Sequence, residues 1–318
     1  MKVTIVGLGL IGGCMGIDLR KARFADQFVG VDLNEAHGQK AVELGLVDRI
    51  EPEDKALSEA DVVILAIPVN TMSALLPQVL DIVKSTAVVI DTGSTKSMIC
   101  RSVSNHANRQ QFVAAHPIAG TENSGPEAAF AGLFVNNTNI ICERDKSSAH
   151  SLDTATKIFT VLGMKTIFMD PDEHDKHVAY VSHLSHVSSF LLGQTVLDIE
   201  KDEKNIFNLA GSGLASTVRL AKSSPDMWAP IFEQNAEYLG QALAEYIMHL
   251  QKFHYQLMKR NTKELYRIMK EANKIRKVLD RQDSPLSSGE GPGVRPPISS
   301  EGGSAVRPVQ PLAESSQK

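Results

Sequence analysis

The run Lys2-Val3-Thr4-Ile5-Val6, followed at once by Gly7-Leu8-Gly9-Leu10-Ile11-Gly12, constrains this chain more than any other feature. Residues 2–6 predict a short buried strand, and the helical pattern from Leu10 to Lys21 predicts a helix directly after it. The glycines match G-x-G-x-x-G. The first permits a tight turn, the second lets the backbone approach a pyrophosphate, and the third lets the helix pack closely on the strand. Asp32 closes the next strand (residues 28–32), 20 residues beyond Gly12. A carboxylate there accepts a ribose 2′-hydroxyl and repels a 2′-phosphate. No arginine follows in Leu33-Asn34-Glu35. These residues predict a dinucleotide site built from Gly7, Gly9, Leu10, Ile11, Gly12 and Asp32, with NAD preferred over NADP. The plainer alternative is an ordinary strand-to-helix turn with a surface aspartate.

Further apolar runs at residues 62–67, 87–91, 112–115, 139–142 and 165–169 read as strands, and helical patterns at 34–44, 70–83, 95–107 and 149–162 separate most of them. Asn34 is placed to cap the first of these helices. Strands that are apolar without alternation, spaced by helices, predict a parallel sheet covered on both faces. Beyond Pro171 the strand character stops, and long helical patterns continue to Arg281 with an interruption at Ser223-Ser224-Pro225. The expected organisation is an α/β Rossmann-type domain at 1–170, an all-helical domain at 171–281, and a tail at 282–318. That tail holds six prolines, five glycines and eight serines and no aromatic residue. Such a composition cannot bury enough apolar surface to offset its ordering entropy, so disorder is expected there.

Charge and cysteine usage remove several classes of function. A formal net charge of -4 gives no electrostatic case for a nucleic-acid footprint or a polybasic membrane anchor. No apolar run approaches the roughly 20 residues that span a bilayer. Cys14, Cys100 and Cys142 form neither a disulfide framework nor a metal-ligand spacing. With no leader-like stretch after Met1, a cytoplasmic location is expected.

In an open parallel sheet, ligands bind outside the carboxyl ends of the strands. Asp91-Thr92-Gly93-Ser94-Thr95-Lys96 follows one predicted strand, and His116-Pro117-Ile118-Ala119-Gly120-Thr121-Glu122 follows the next. A histidine there can take the proton of a substrate hydroxyl as hydride leaves the same carbon, and a serine can orient the imidazole. His116 and Ser94 are therefore the candidate catalytic residues. The plainer readings are a helix N-cap for Ser94 and a strand-end residue held extended by Pro117 for His116.

These residues carry a resemblance. The glycine turn, the two strand-end motifs, His174-Asp175, Ser182-His183-Leu184-Ser185-His186, Arg219-Leu220-Ala221-Lys222 and Trp228 together resemble the prephenate dehydrogenase family and its arogenate-using relatives. The resemblance covers residues 1–280. It implies a dinucleotide-binding domain followed by a helical domain that binds substrate and dimerises, so a homodimer is expected. It also implies the NAD-dependent oxidation and decarboxylation of prephenate to 4-hydroxyphenylpyruvate, in tyrosine biosynthesis. His116 would accept a hydrogen bond from the 4-hydroxyl with Ser94 positioning it, Arg219 would hold a substrate carboxylate, His186 and His183 would line the pocket, and Thr121 and Glu122 would close its edge. Trp228 would pack near the pocket. With an ordinary imidazole, activity would rise with pH through roughly 6.5.

The chain departs from the family pattern at two places. Ser185 stands where proline is common between the two histidines, and Ser216 stands where an acidic residue is common three positions before the arginine. Loss of that carboxylate removes a counter-charge for the ammonium of arogenate, which favours prephenate as substrate. The alternatives are an arogenate or dual-specificity cyclohexadienyl dehydrogenase and, in another class, a non-catalytic NAD-binding sensor. The β-hydroxyacid dehydrogenases share the two-domain plan but not the Ser94 and His116 motifs. A metal site among His174, His177, His183 and His186 is not expected, since no cysteine completes a ligand set.

Overall fold

The computed structural model describes residues 1–202 and 206–278. Among them, β1 (Lys2–Val6), β2 (Gln27–Val31), β3 (Arg49–Ile50), β4 (Val62–Leu65), β5 (Val88–Asp91), β6 (Phe112–Pro117), β7 (Thr138–Cys142) and β8 (Lys165–Met169) form one sheet. Their order is β3-β2-β1-β4-β5-β6-β7-β8. The helices of this half are α1 (Leu10–Lys21), α2 (Glu35–Glu43), α3 (Glu53–Ser58), α4 (Val69–Ile82), α5 (Ser97–Ser102) and α6 (Ala149–Val161). Asn34 caps α2 as its sequence suggests, its side chain accepting from the backbone N–H groups of Ala36 and His37.

Strands β1 to β6 pair in parallel. The parallel sheet expected from the sequence forms with one exception, since β7 runs antiparallel to β6, while β8 runs parallel to β7. Parallel neighbours need a crossover, usually a helix. Between β6 and β7 the chain makes only the short 3₁₀ turn Pro126–Ala128, so β7 returns in the opposite sense. Helix α6 supplies the crossover that lets β8 pair in parallel.

Side chains alternate along each strand, so the sheet has two apolar faces. Val3, Ile5, Val62, Ile64, Val88, Ile90, Val113 and Ala115 belong to one buried cluster with Leu10, Met15 and Phe159. Val63, Leu65, Val89, Phe112 and Ala114 belong to the other with Met72, Leu76, Ile99 and Trp228. Two residues beyond Ala114, His116 projects toward this second face.

The later helices are α7 (Pro171–Val178), α8 (Leu184–Asp202), α9 (Ser212–Thr217), α10 (Pro225–Gln234), α11 (Ala236–Met258) and α12 (Thr262–Ala272). Asp170 caps α7 by accepting from Asp172 N and Glu173 N, and Pro171 occupies its first turn. One π turn, Ala179–His183, joins α7 to α8. The change of secondary structure at residue 170 is not a break in packing, because α10 sets Trp228 and Ile231 into the second sheet core. The compact units are Met1–Gln251 and a second beginning at Lys252. The expected disorder of 282–318 falls outside the described residues. Among those described, no helix is long and apolar enough to cross a membrane.

Candidate active site

The glycine turn sits where the strand order reverses, between β1 with its neighbour β2 on one side and β4 on the other. Gly7 has φ of 90° and hydrogen-bonds from its N–H to Val31 O at 2.8 Å. A side chain there would strike the Ala66 carbonyl, and one at Gly12 would strike the Gly7 carbonyl. Gly9 differs, because a Cβ built on it meets nothing within 4 Å. It forms the N-cap of α1 with no side-chain cap, which leaves the helix N-terminus open to an anion. Leu10 is buried and Ile11 half-buried beneath the turn.

Asp32 is tied to the same turn. Leu8 N donates to its Oδ2 at 2.8 Å and Asn34 N to its Oδ1 at 2.9 Å. The remaining lone pairs are free to accept ribose hydroxyls. An uncapped helix start, an open edge at Gly9 and a fixed carboxylate fit the diphosphate and ribose of a dinucleotide.

The chemistry-bearing residues gather at the ends of β5 and β6, two and three strands along from β1, or about 10 and 14 Å at the usual strand spacing. Here Asp91 and Lys96 form an ion pair with both side chains fully buried. Lys96 Nζ also donates to Ala115 O at 2.8 Å, and Asp91 Oδ1 accepts from Ala115 N at 2.8 Å. The residue before His116 is thereby bonded through both backbone polar groups, which fixes where the imidazole leaves the sheet.

His116 is half-buried, and its Nδ1 lies 2.8 Å from His174 Nε2. His174 is wholly buried, and its Nδ1 lies 2.8 Å from Asp175 Oδ1. Asp175 in turn accepts from Lys96 N at 2.7 Å and Ser97 N at 2.9 Å. Burial, then the nearby His174, Lys96 and His183, push the His116 pKa well below the ordinary imidazole value. The expected rise in activity through pH 6.5 therefore moves to lower pH. Burial pushes Asp175 up, but the bonds from His174, Ser97 and Lys96 outweigh it and hold the carboxyl below its usual value.

Ser94 lies half-buried three residues beyond β5. The structure does not join it to His116, whose recorded bond is to His174. With Nδ1 committed there, the ring nitrogen left to a serine is Nε2. Nor is Ser94 a helix cap, since α5 begins at Ser97 after Lys96.

His183 and His186 do different things. His183 is buried, with Nδ1 3.0 Å from the Asn235 amide nitrogen, and burial lowers its pKa to about 4. Asn235 also donates to Asp175 O at 2.7 Å, so His183 braces the layer behind His174. His186 is half-buried and stacks on Trp228, with ring centroids 3.5 Å apart and planes 24° apart. Its Nδ1 lies 3.0 Å from Ser182 O. Arg219, in the turn after α9, donates to Glu122 Oε2 at 2.8 Å in the loop after β6. Thr121 beside it is half-buried, and its hydroxyl accepts from Asn123 N at 3.2 Å. Ser216 is exposed on α9. Sequence reasoning assigned no role to Lys96, His174, Asp175 or Asn235. Lys96, His174 and Asp175 stood in the shared motifs and Asn235 in none, and their bonds link residues up to 79 positions apart.

Two family models match this chain, one described as prephenate dehydrogenase, nucleotide-binding domain, over residues 15–168, and one as prephenate dehydrogenase, dimerization domain, over residues 170–271. The chain belongs to the prephenate dehydrogenase family. It is 30% identical over 280 residues to a cyclohexadienyl dehydrogenase of Zymomonas mobilis, covering 87% of this chain and 95% of that relative. It is 28% identical over 282 residues to a prephenate dehydrogenase of Lactococcus lactis, covering 88% and 77% respectively. A solved structure of prephenate dehydrogenase from A. aeolicus, in complex with hydroxyphenyl propionate and NAD+, superposes with a TM-score of 0.81 at 30% identity. The match covers 88% of this chain and 98% of that one. The similarity includes both halves of the family plan, so the motifs and the helical half are read together.

Proposed function

We propose that this chain catalyses the NAD-dependent oxidative decarboxylation of prephenate to 4-hydroxyphenylpyruvate. The observation that carries the reading is His116. It stands at the carboxyl end of β6 on a backbone position held by Asp91 and Lys96, with one ring nitrogen bonded to His174 and the other unbonded among the described residues. Family membership and the fit of the glycine turn support the same conclusion.

NAD is held by Gly7, Gly9, Leu10, Ile11, Gly12 and Asp32, and when bound it supplies the acceptor for hydride leaving C4. His116 accepts the 4-hydroxyl proton as the C4–H bond breaks and returns it to the phenolate oxygen once the ring is aromatic, which restores the neutral imidazole. The ring carboxylate departs as carbon dioxide, its bonding electrons entering the ring, and aromatisation drives the step. A neutral imidazole is required, and its lowered pKa supplies one at neutral pH. Arg219 holds a substrate carboxylate by a charge-assisted pair, with Glu122 and Thr121 at the pocket edge and His186 on its wall. Ser94, three residues beyond β5, is assigned to orient the reacting hydroxyl rather than the imidazole. Residues 171–281 are the substrate and dimerisation region, and two copies of the chain associate through it.

A dual-specificity reading is favoured by the cyclohexadienyl dehydrogenase relative, which is matched over 95% of its length. Against it, Ser216 offers no negative charge for the ammonium of arogenate. Nicotinamide reduction measured with prephenate and with arogenate, each with NAD and NADP, separates the readings. Higher kcat/KM with prephenate and NAD is expected. No reduction with any of the four pairs, while NAD binds, would leave the non-catalytic sensor.

A further inference from the structure

Asp175, His174 and His116 form a continuous hydrogen-bonded chain that ends at the unbonded edge of the His116 ring. Each proton on it can be assigned. Asp175 Oδ1 already accepts the Lys96 N–H, and Oδ2 accepts the Ser97 N–H, so the carboxylate is met by donors and stays ionised. The ring atom facing Oδ1 is His174 Nδ1, at 2.8 Å, and an ionised carboxylate can only accept. His174 therefore carries its proton on Nδ1. A neutral imidazole with a proton on Nδ1 has its lone pair on Nε2. That Nε2 lies 2.8 Å from His116 Nδ1, so the hydrogen on this bond belongs to His116. His116 is then left with its lone pair on Nε2, the atom free to meet a substrate hydroxyl.

We propose that His174 is a positioning residue that sets the tautomer of His116, with Asp175 setting the tautomer of His174. The inference rests on the reading of His116 as the proton acceptor. Without His174, a neutral imidazole is free to carry its hydrogen on Nε2, which would present a donor where the reaction needs a lone pair. The chain also serves the charged state. When the substrate O–H bond breaks and its proton joins Nε2, the Nδ1–H bond to His174 becomes charge-assisted, with the Asp175 carboxylate one ring further back. The proton stays on His116 until its return to the phenolate oxygen, and no proton needs to reach Asp175. The other charged and titratable groups around the imidazole are Lys96, beneath it in the β5 loop, and His183, behind it at the end of the π turn. Both oppose a positive charge on His116, as the His174 ring itself does, and the Asp175 carboxylate beyond that ring supplies the negative charge of the chain.

The test uses the full chain labelled with ¹⁵N in histidine, with the ring nitrogen shifts of His116 read at pH 7.5 in the absence of substrate. Two variants accompany it. His174→Phe keeps a ring of similar size but has no lone pair, and His174→Gln places an amide oxygen where Nε2 accepted. The expected result is Nδ1–H and bare Nε2 on His116 in the parent chain and in His174→Gln, and loss of that single tautomer in His174→Phe. Turnover should follow the tautomer. We expect kcat to fall about tenfold or more in His174→Phe with KM and NAD affinity nearly unchanged, and to recover most of the loss in His174→Gln. A hydrogen on His116 Nε2 in the parent chain would overturn the proposal, as would a His174→Phe variant that keeps the parent tautomer and kcat. The NMR arm needs no turnover, so it decides the tautomer even if the parent chain fails to oxidise prephenate, a failure that would count against the functional reading alone.

Discussion

Arg219 Nη1 donates to Glu122 Oε2 at 2.8 Å, joining the turn after α9 to the loop after β6. The arginine side chain is 52% exposed and the glutamate 24%. An exposed pair of this kind is screened by solvent, so it is easily exchanged for a pair with a substrate carboxylate. Arg219→Ala is expected to raise KM for prephenate about 10–100-fold while kcat changes little, because the interaction is made in ground and transition states alike. Glu122→Gln is expected to lower KM by up to about fivefold, because the competing carboxylate is gone. Steady-state kinetics of the two variants check both signs, and an unchanged KM in Arg219→Ala removes it from the substrate site.

The glycine turn separates folding from binding. A methyl on Gly12 meets the Gly7 carbonyl, whereas a methyl on Gly9 points into open space. Gly12→Ala should therefore lower the unfolding midpoint. Gly9→Ala should leave the unfolding free energy within about 1 kcal/mol of the parent and weaken NAD binding at least tenfold, since the added group occupies the approach of the diphosphate. Thermal unfolding with and without NAD distinguishes them, and unchanged NAD affinity in Gly9→Ala would count against the site.

The turn was legible in the sequence because strand, glycine spacing and the aspartate at the end of the next strand are local signals. The same holds for the cap at Asn34. Two features of the sheet were not. The strand β3 is only Arg49–Ile50, both exposed, too short to leave a periodic pattern. The reversal at β7 depends on the missing crossover helix between residues 117 and 138, whereas β7 itself reads like any buried strand. At the site, His116 was legible from its place after β6, but its partner was not. A serine three residues beyond β5 and a histidine 58 residues beyond His116 are equally plausible neighbours in one dimension. Only the packing of α7 under the sheet end distinguishes them.

Burial, helped by His174, Lys96 and His183, holds His116 below the ordinary imidazole pKa. Its protonated form cannot accept the substrate proton, so activity is lost as pH falls through the lowered value and is flat above it. The acid limb of kcat/KM, which reports the free enzyme, should have its midpoint below 6.5. A midpoint at or above 6.5 in the parent chain would show that the imidazole is not shielded as described.

His183 links the same burial to stability. Its folded pKa is about 4, against about 6.5 for the model imidazole, so between these values the unfolded chain binds a proton that the folded chain does not. Folding stability must then rise with pH across that window, and fall as pH drops from 6.5 toward 4, by on the order of 3 kcal/mol for this residue. Urea unfolding at pH 7, 5.5 and 4.5 should show the fall, and His183→Gln should reduce the slope. An equal slope in parent and variant would mean that His183 is not buried neutral in the folded chain.

The proposed reaction requires His116 to accept the proton as hydride leaves the substrate. Stopped-time measurement of NADH formation from prephenate, in the parent chain and in His116→Asn, with NAD affinity measured in parallel, tests it most directly. In the variant kcat is expected to fall about 10²–10⁴-fold while NAD binds as before. NADH formation at the parent rate in His116→Asn would contradict it.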